Sequence, residues 1–274
     1  MTNFFDQVLV FPFINVLVVI YQALFSLHIP YALGFSIIIL TIIIRIILYP
    51  LTKSQLKSSK KMQELSHHVS KIKEKHKGDA KRLQAETMKL YKEHGVNPMS
   101  GCLTALVQFP ILMALYSVLN KIVGLNSQTI VSEVNKIIYL DLFKLKTPWD
   151  PYFFGLSLAQ SPSSLLQQIG PLILLIPLSA GVFQFIQSKM MFVKPPVVSG
   201  EEKNQKKGGD FTSALQTQSL YMFPAMIIYF SYIFPLGLSL YWNTLTIFGI
   251  LQQYKIQGWG GLEVWIKKIS SKGK

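Results

Sequence analysis

Apolar and polar positions alternate in long blocks along this chain, hydrophobic runs being separated by charged ones. A helix needs about 20 mostly apolar residues to cross the hydrocarbon core of a bilayer. Runs at 31–52, 98–123, 168–188 and 218–254 supply them. The last is too long for one crossing, and FPLGLSLYW interrupts it with Pro235 and Gly237, which suit a tight turn. Divided there into 218–235 and 236–254, the chain is expected to form five spans. Residues 4–28 are also apolar, but Asp6, Pro12, Asn15, Gln22 and His28 interrupt them. Residues 1–30 therefore predict an amphipathic helix lying on the extracytoplasmic interface, with a sixth span as the alternative.

Between the first two spans, residues 53–97 show a different period. Met62, Leu65, Val69 and Ile72 step by helical intervals, HKGD breaks the pattern, and Ala80, Leu83, Thr87 and Leu90 resume it. This predicts two amphipathic helices joined by a turn at Gly78, their apolar stripes face to face, with Asp79 capping the second. Residues 193–210, VKPPVVSGEEKNQKKGGD, are Pro, Gly and charge without a period, and predict a linker.

Composition supports a polytopic membrane protein: half of the 274 residues are hydrophobic and 15% are charged. A formal net charge of +14 invites a nucleic-acid reading, but the placement of Lys and Arg points to membrane topology instead. Segment 53–97 carries 12 of them, 189–216 carries 5 and the tail 255–274 carries 5, whereas the loop 124–167 carries 3, with Lys121 beside it. Five spans with the N-terminus outside put all three rich segments, the hairpin 53–97, the loop 189–217 and the tail 255–274, in the cytoplasm. The N-terminus has no basic stretch of the kind that precedes a cleavable signal core, so the first segment is expected to stay in the mature chain. The one cysteine, Cys102, excludes a disulfide framework.

An enzyme reading finds no support in the motifs. No glycine-rich phosphate loop with its lysine occurs, and His67, His68, His76 and His94 lack HExxH spacing. No serine or threonine sits in a nucleophile elbow, and none of the five spans contains an acidic residue to act as acid, base or proton relay. No cofactor and no DNA partner is expected.

The exception to apolarity is Arg45 in TIIIRIILYP. An arginine at a helix centre costs about 2.5 to 3.5 kcal/mol on insertion scales unless water or a partner reaches it. Thr41 lies one turn away on the same face, and Gln108 falls within the second span. A hydrated cavity with Arg45 as its fixed charge is one reading; snorkelling of Arg45 to the cytoplasmic headgroups is the other.

Taken together, the Arg-bearing span, the basic hairpin, NPMSGCLTALVQFPILMALYSVL (97–119), DLFKLKTPWDPYFF (141–154) and FPLGLSLYWNTLTIFGILQQ (234–253) resemble the YidC/Oxa/Alb membrane protein insertases, in order and over nearly the whole chain. The large extracytoplasmic domain of many Gram-negative members is absent, so the resemblance is to the short form. It implies an all-α polytopic membrane protein whose five transmembrane helices surround a hydrophilic groove open to cytoplasm and lipid, with a cytoplasmic helical hairpin. Arg45 then corresponds to the groove arginine, Thr41 to its neighbour, Gln108 to the polar residue of the second span, and Tyr241 and Trp242 to an aromatic pair near the substrate path. The implied partners are nascent integral membrane protein clients, with the Sec translocon as a candidate further partner, and the implied location is a bacterial plasma membrane. The basic hairpin and the tail WIKKISSKGK are candidates for contacting ribosomal RNA, anionic lipid being the alternative for the tail. Two other functions share these residues: an anion transporter or channel using Arg45 as binding site, and a passive assembly chaperone.

Overall fold

The computed structural model describes residues 4–76, 78–97, 100–120, 127–191, 211–263 and 266. The linker 193–210, Lys121 and, apart from Ile266, the terminal WIKKISSKGK lie outside them. The described residues are helical almost throughout, and the chain falls into two compact units.

Unit 1 comprises Met1–Leu48, Leu106–Phe183 and Ala225–Phe248. Its first helix, α1 (Phe11–Ser26), follows a π-helical turn, Asp6–Val10, and the two together are long and apolar enough to cross a membrane by length and composition. Ile14, Leu17, Val18 and Tyr21 are buried at the 3- and 4-residue spacing of one helical face. They join the core with Leu33, Ile37 and Leu40 of α2 (Ala32–Ile47) and with Ala114, Leu115 and Val118 of α6 (Ser100–Val118). Ile130 and Val134 of α7 (Ser127–Asn135) complete that side.

The polar interruptions of α1 have specific partners. Asn15 donates to the carbonyl of Ile137 at 3.0 Å and accepts from the amide of Tyr139 at 2.8 Å, while Gln22 donates to the carbonyls of Phe143 and Lys144 at 2.9 and 3.1 Å. Placed seven residues apart, they staple one face of the helix to the loop after α7, and Tyr21 adds an edge contact with Trp149.

That loop continues into a minimal hairpin, β1 (Tyr152–Phe153) and β2 (Leu156–Ser157), turned by Phe154 and Gly155 at φ 48° and 80°. Two positive φ values are what the right-handed twist of the strands demands of a two-residue turn. For a residue with a side chain the left-handed region costs about 1–2 kcal/mol.

Helix α8 (Pro162–Ile169), capped by the Ser161 hydroxyl, leads through a short 3-10 turn into α9 (Leu175–Met191). Pro171–Met191 as a whole is long and apolar enough for a crossing. Between α10 (Phe211–Ile233) and α11 (Leu236–Gln257) the chain turns at Pro235, and the opening amides of α11 are satisfied from elsewhere: Leu236 N donates to Gln160 O and Gly237 N to Leu158 O. A Cβ at position 237 would overlap Leu119, so glycine is what lets α11 approach so closely.

Unit 2 comprises Tyr49–Ala105, Gln184–Pro224 and Gly249–Lys274. Helix α3 (Tyr49–Glu64) buries Thr52, Leu56 and Ser59, again at 4- and 3-residue spacing, so its inner face is mostly polar. Two side-chain amides hold it: Gln63 donates to Met191 O at the end of α9, and Gln257 at the end of α11 donates to Leu56 O. Helices α4 (Ser66–Lys75) and α5 (Ala80–Glu93) form a hairpin with Gly78 at φ 93° in the turn. Asp79 caps α5, accepting from Arg82 N at 3.0 Å. Leu83, Thr87 and Leu90 are half-buried while their neighbours Lys81, Arg82, Gln84, Ala85, Glu86, Met88 and Lys89 are exposed. Segment 53–97 thus belongs to three helices rather than two, because α3 starts ahead of it at Tyr49 and breaks at Leu65, which is buried.

Candidate functional site

The polar residues singled out in the sequence come from three helices of unit 1. Arg45 stands in the last turn of α2, Gln108 in α6, and Tyr241 and Trp242 in α11. Leu33, Ile37 and Leu40 of α2 are packed into the core, Thr41 follows Ile37 one turn later on the same side and is buried, and Arg45 comes one turn further on.

Arg45 Nη2 donates to the main-chain carbonyl of Leu245 at 2.8 Å. A guanidinium has five donors in a planar fork, and a helix carbonyl is an acceptor of the right polarity for one of them. One turn back along α11, the Tyr241 hydroxyl accepts a hydrogen bond from Gln108 Nε2 and interacts electrostatically with the Arg45 guanidinium. Tyr241 is 1% exposed. Arg45, Gln108, Tyr241 and the Leu245 carbonyl therefore form one polar cluster joining α2, α6 and α11.

Thr41 and Trp242 belong to other surroundings. The Thr41 hydroxyl donates to Ile37 O at 2.6 Å, as Ser36 does to Ala32 O, which satisfies a buried hydroxyl on its own helix. Thr41 is thus near Arg45 in the helix and committed elsewhere in its bonding. Trp242, about 100° around the helix from Tyr241, stacks with Phe230 and Phe234 at 6.3 and 6.4 Å, and Tyr116 meets Phe234 at 5.1 Å.

A second set of polar groups was not singled out in the sequence. Ser231 and Ser239 pair through their hydroxyls at 2.8 Å across the α10–α11 turn. Asn243 donates to Ser239 O at 2.9 Å and accepts from Ser179 of α9 at 3.2 Å. Thr246 is 2% exposed. The signal was present: Ser239, Asn243 and Thr246 recur at 4- and 3-residue spacing, a polar stripe along α11 hidden among Leu, Tyr and Trp.

In chemical terms the cluster offers a fixed cation, an amide and a phenol in an apolar frame. It can hold an anionic or strongly polar group electrostatically. Among the described residues, no three His, Cys, Asp or Glu side chains gather as a metal site would require.

A family model described as 60Kd inner membrane protein matches residues 24–260. The membrane protein insertase YidC of Fusobacterium nucleatum is 35% identical over 223 residues, covering 81% of this chain and 85% of that protein. The membrane protein insertase MisCA of Bacillus subtilis is 33% identical, covering 82% and 70%. The chloroplast inner membrane protein ALBINO3 of Arabidopsis thaliana is 30% identical over 94% of this chain and 53% of its own length, and the YidC of Wolinella succinogenes is matched over only 32% of its length.

Proposed function

Because this chain belongs to the 60Kd inner membrane protein family, we propose that it is a membrane protein insertase. On this reading a client's short hydrophilic tail enters from the cytoplasm into a hydrated groove near Arg45 while its apolar segment partitions into lipid alongside. The observation that carries it is the cluster itself: an arginine in the last turn of an apolar helix, bonded to a main-chain carbonyl of α11 and neighboured by Tyr241, which Gln108 holds. The proposed spans themselves carry no acidic residue, and the positive charge of Arg45 would attract an acidic client tail.

Energetically the client supplies the driving force. About 20 apolar residues at about −0.3 to −0.6 kcal/mol each outweigh one or two polar groups at about +2.5 to +3.5 kcal/mol. The protein lowers the barrier for the polar tail, and no nucleotide hydrolysis is needed. A membrane potential positive outside favours an acidic tail by about 2.3 kcal/mol per charge per 100 mV. The same proposal takes five spans, an extracytoplasmic N-terminus, a cytoplasmic hairpin and tail, and residence in a bacterial plasma membrane. The basic segments would meet the ribosome or anionic lipid, and the Sec translocon is a candidate further partner.

The test is insertion of a single-span client with an acidic N-terminal tail into liposomes holding only this protein. Protease protection of the tail is expected with the wild type and with Arg45→Lys, and is expected to be lost with Arg45→Glu. Equal protection by wild type and Arg45→Glu would overturn the role of the charge, and anion flux abolished by Arg45→Ala would point to a channel instead.

A further inference from the structure

Among the described residues, every non-glycine residue with a left-handed backbone, His28, Tyr31 and Phe154, falls in one small region of unit 1. Tyr31 and Phe154 touch, with ring centroids 4.8 Å apart. At the first position of a two-residue hairpin turn, Asn, Asp or Gly takes this conformation with little strain; phenylalanine does not. Burial does not account for the residue, since Phe154 is 66% exposed. Tyr152, Phe25 and Leu27 are exposed as well, at 50, 56 and 69%. A strained aromatic held in the open points to a contact outside the chain.

Its height along the molecule is set by Phe153. The Phe153 ring lies over Gly34 in the first turn of α2, where any Cβ would overlap it, and meets Phe35 edge-on at 5.4 Å and Tyr31 at 6.1 Å. The hairpin tip is thereby pinned level with the start of α2. On the reading of α2 as a span, on which this inference rests, its first turn marks the boundary between headgroups and acyl chains.

We propose that Phe154, with Tyr152, Phe25 and Leu27, is an interfacial anchor that inserts into the lipid leaflet where α2 begins. The occupant is lipid because the surface is aromatic and continuous with the opening turn of an apolar helix, and because residues 151–160 carry no charge that a protein partner could pair with. Aromatic rings at that depth place an apolar body in the acyl boundary and a polar tip, here the Tyr152 hydroxyl, among headgroups. The strain at Phe154 is then the cost of aiming a ring outward that a glycine turn would lack.

The experiment uses the full chain in phosphatidylethanolamine–phosphatidylglycerol vesicles. Single cysteines at Phe154 and Ile39, in a Cys102→Ser background, carry an environment-sensitive fluorophore, and lipids bear a nitroxide near the headgroup or near the chain end. At Phe154 the shallow quencher is expected to outperform the deep one by about twofold, with the order reversed at Ile39. Phe154→Trp, which keeps an aromatic ring in place, is expected to show quenching by lipids brominated near the headgroup. No quenching at 154 by either lipid, with Ile39 deep, overturns the anchor; a blue-shifted but unquenched probe there would mean a protein contact instead. A shallow or aqueous Ile39 would overturn the reading of α2 as a span, a different failure.

Discussion

Each of the two units is held together by an interior of a different kind. Unit 1 is built around aliphatic and aromatic side chains from α1, α2, α6, α7 and α11, and its buried hydroxyls are bonded within reach: Ser36 and Thr41 to their own helix, Ser231 to Ser239. Unit 2 buries Leu56, Leu65, Val96, Met190 and Leu220, but beside them Thr52, Ser59, Ser188, Lys189, Gln252 and Gln253. Buried polar groups return little net free energy even when bonded, about 0.5–1.5 kcal/mol per hydrogen bond, whereas buried apolar area is the main favourable contribution to folding. Unit 1 is therefore the rigid frame. Unit 2 is the part expected to open at lower free energy, as moving elements are drawn from the less stable end of a structure.

The contrast is broken most forcefully in unit 1. Ile37→Ala empties a fully buried position of the largest core, and the expected loss is about 2–5 kcal/mol. It should appear as a lowered thermal midpoint of the whole protein in detergent; a drop confined to amides of unit 1 would show instead that the units unfold independently. In unit 2 the sign reverses. Gln253 is 2% exposed and its Nε2 has no acceptor among the described residues, so Gln253→Leu is expected to remove an unsatisfied donor at similar volume. Slower amide exchange along 249–257 is expected, worth about 1–3 kcal/mol. Faster exchange would mean that an ordered water bonds the amide. Smallest is Asp79→Ala, which removes the cap of α5 and should raise exchange in its first turn by about 0.5–2 kcal/mol, leaving the thermal midpoint of the frame unmoved.

Legibility in the sequence follows the same division. Apolar runs and 3-4 spacing are local signals, so the long apolar helices of unit 1, the half-buried stripe Leu83, Thr87 and Leu90 and the cap at Asp79 could be read from the chain, whereas α7 and the start of α8 lie in a stretch, 124–167, that offered only a loop. The inner face of α3 could not, because Thr52, Ser59 and Gln63 have no apolar period to announce burial. Asn15 and Gln22 look like breaks in an apolar helix, and only the fold shows that their partners, more than a hundred residues away, are loop main-chain groups. The candidate site was legible as a set of residue types. Its grouping was not: Tyr241 and Trp242 are adjacent in sequence, yet one joins Arg45 and Gln108 and the other a stack of rings.

One acceptor for Arg45, the Leu245 carbonyl, is a main-chain oxygen, which every amino acid carries. Conservative exchanges at position 245, such as Leu245→Met, would leave that oxygen where it is, so a mutational scan would score Arg45 as sensitive and its partner as tolerant. The information for half of this contact is stored in the path of a helix, and what disturbs it is a change that bends α11, not one that changes a side chain.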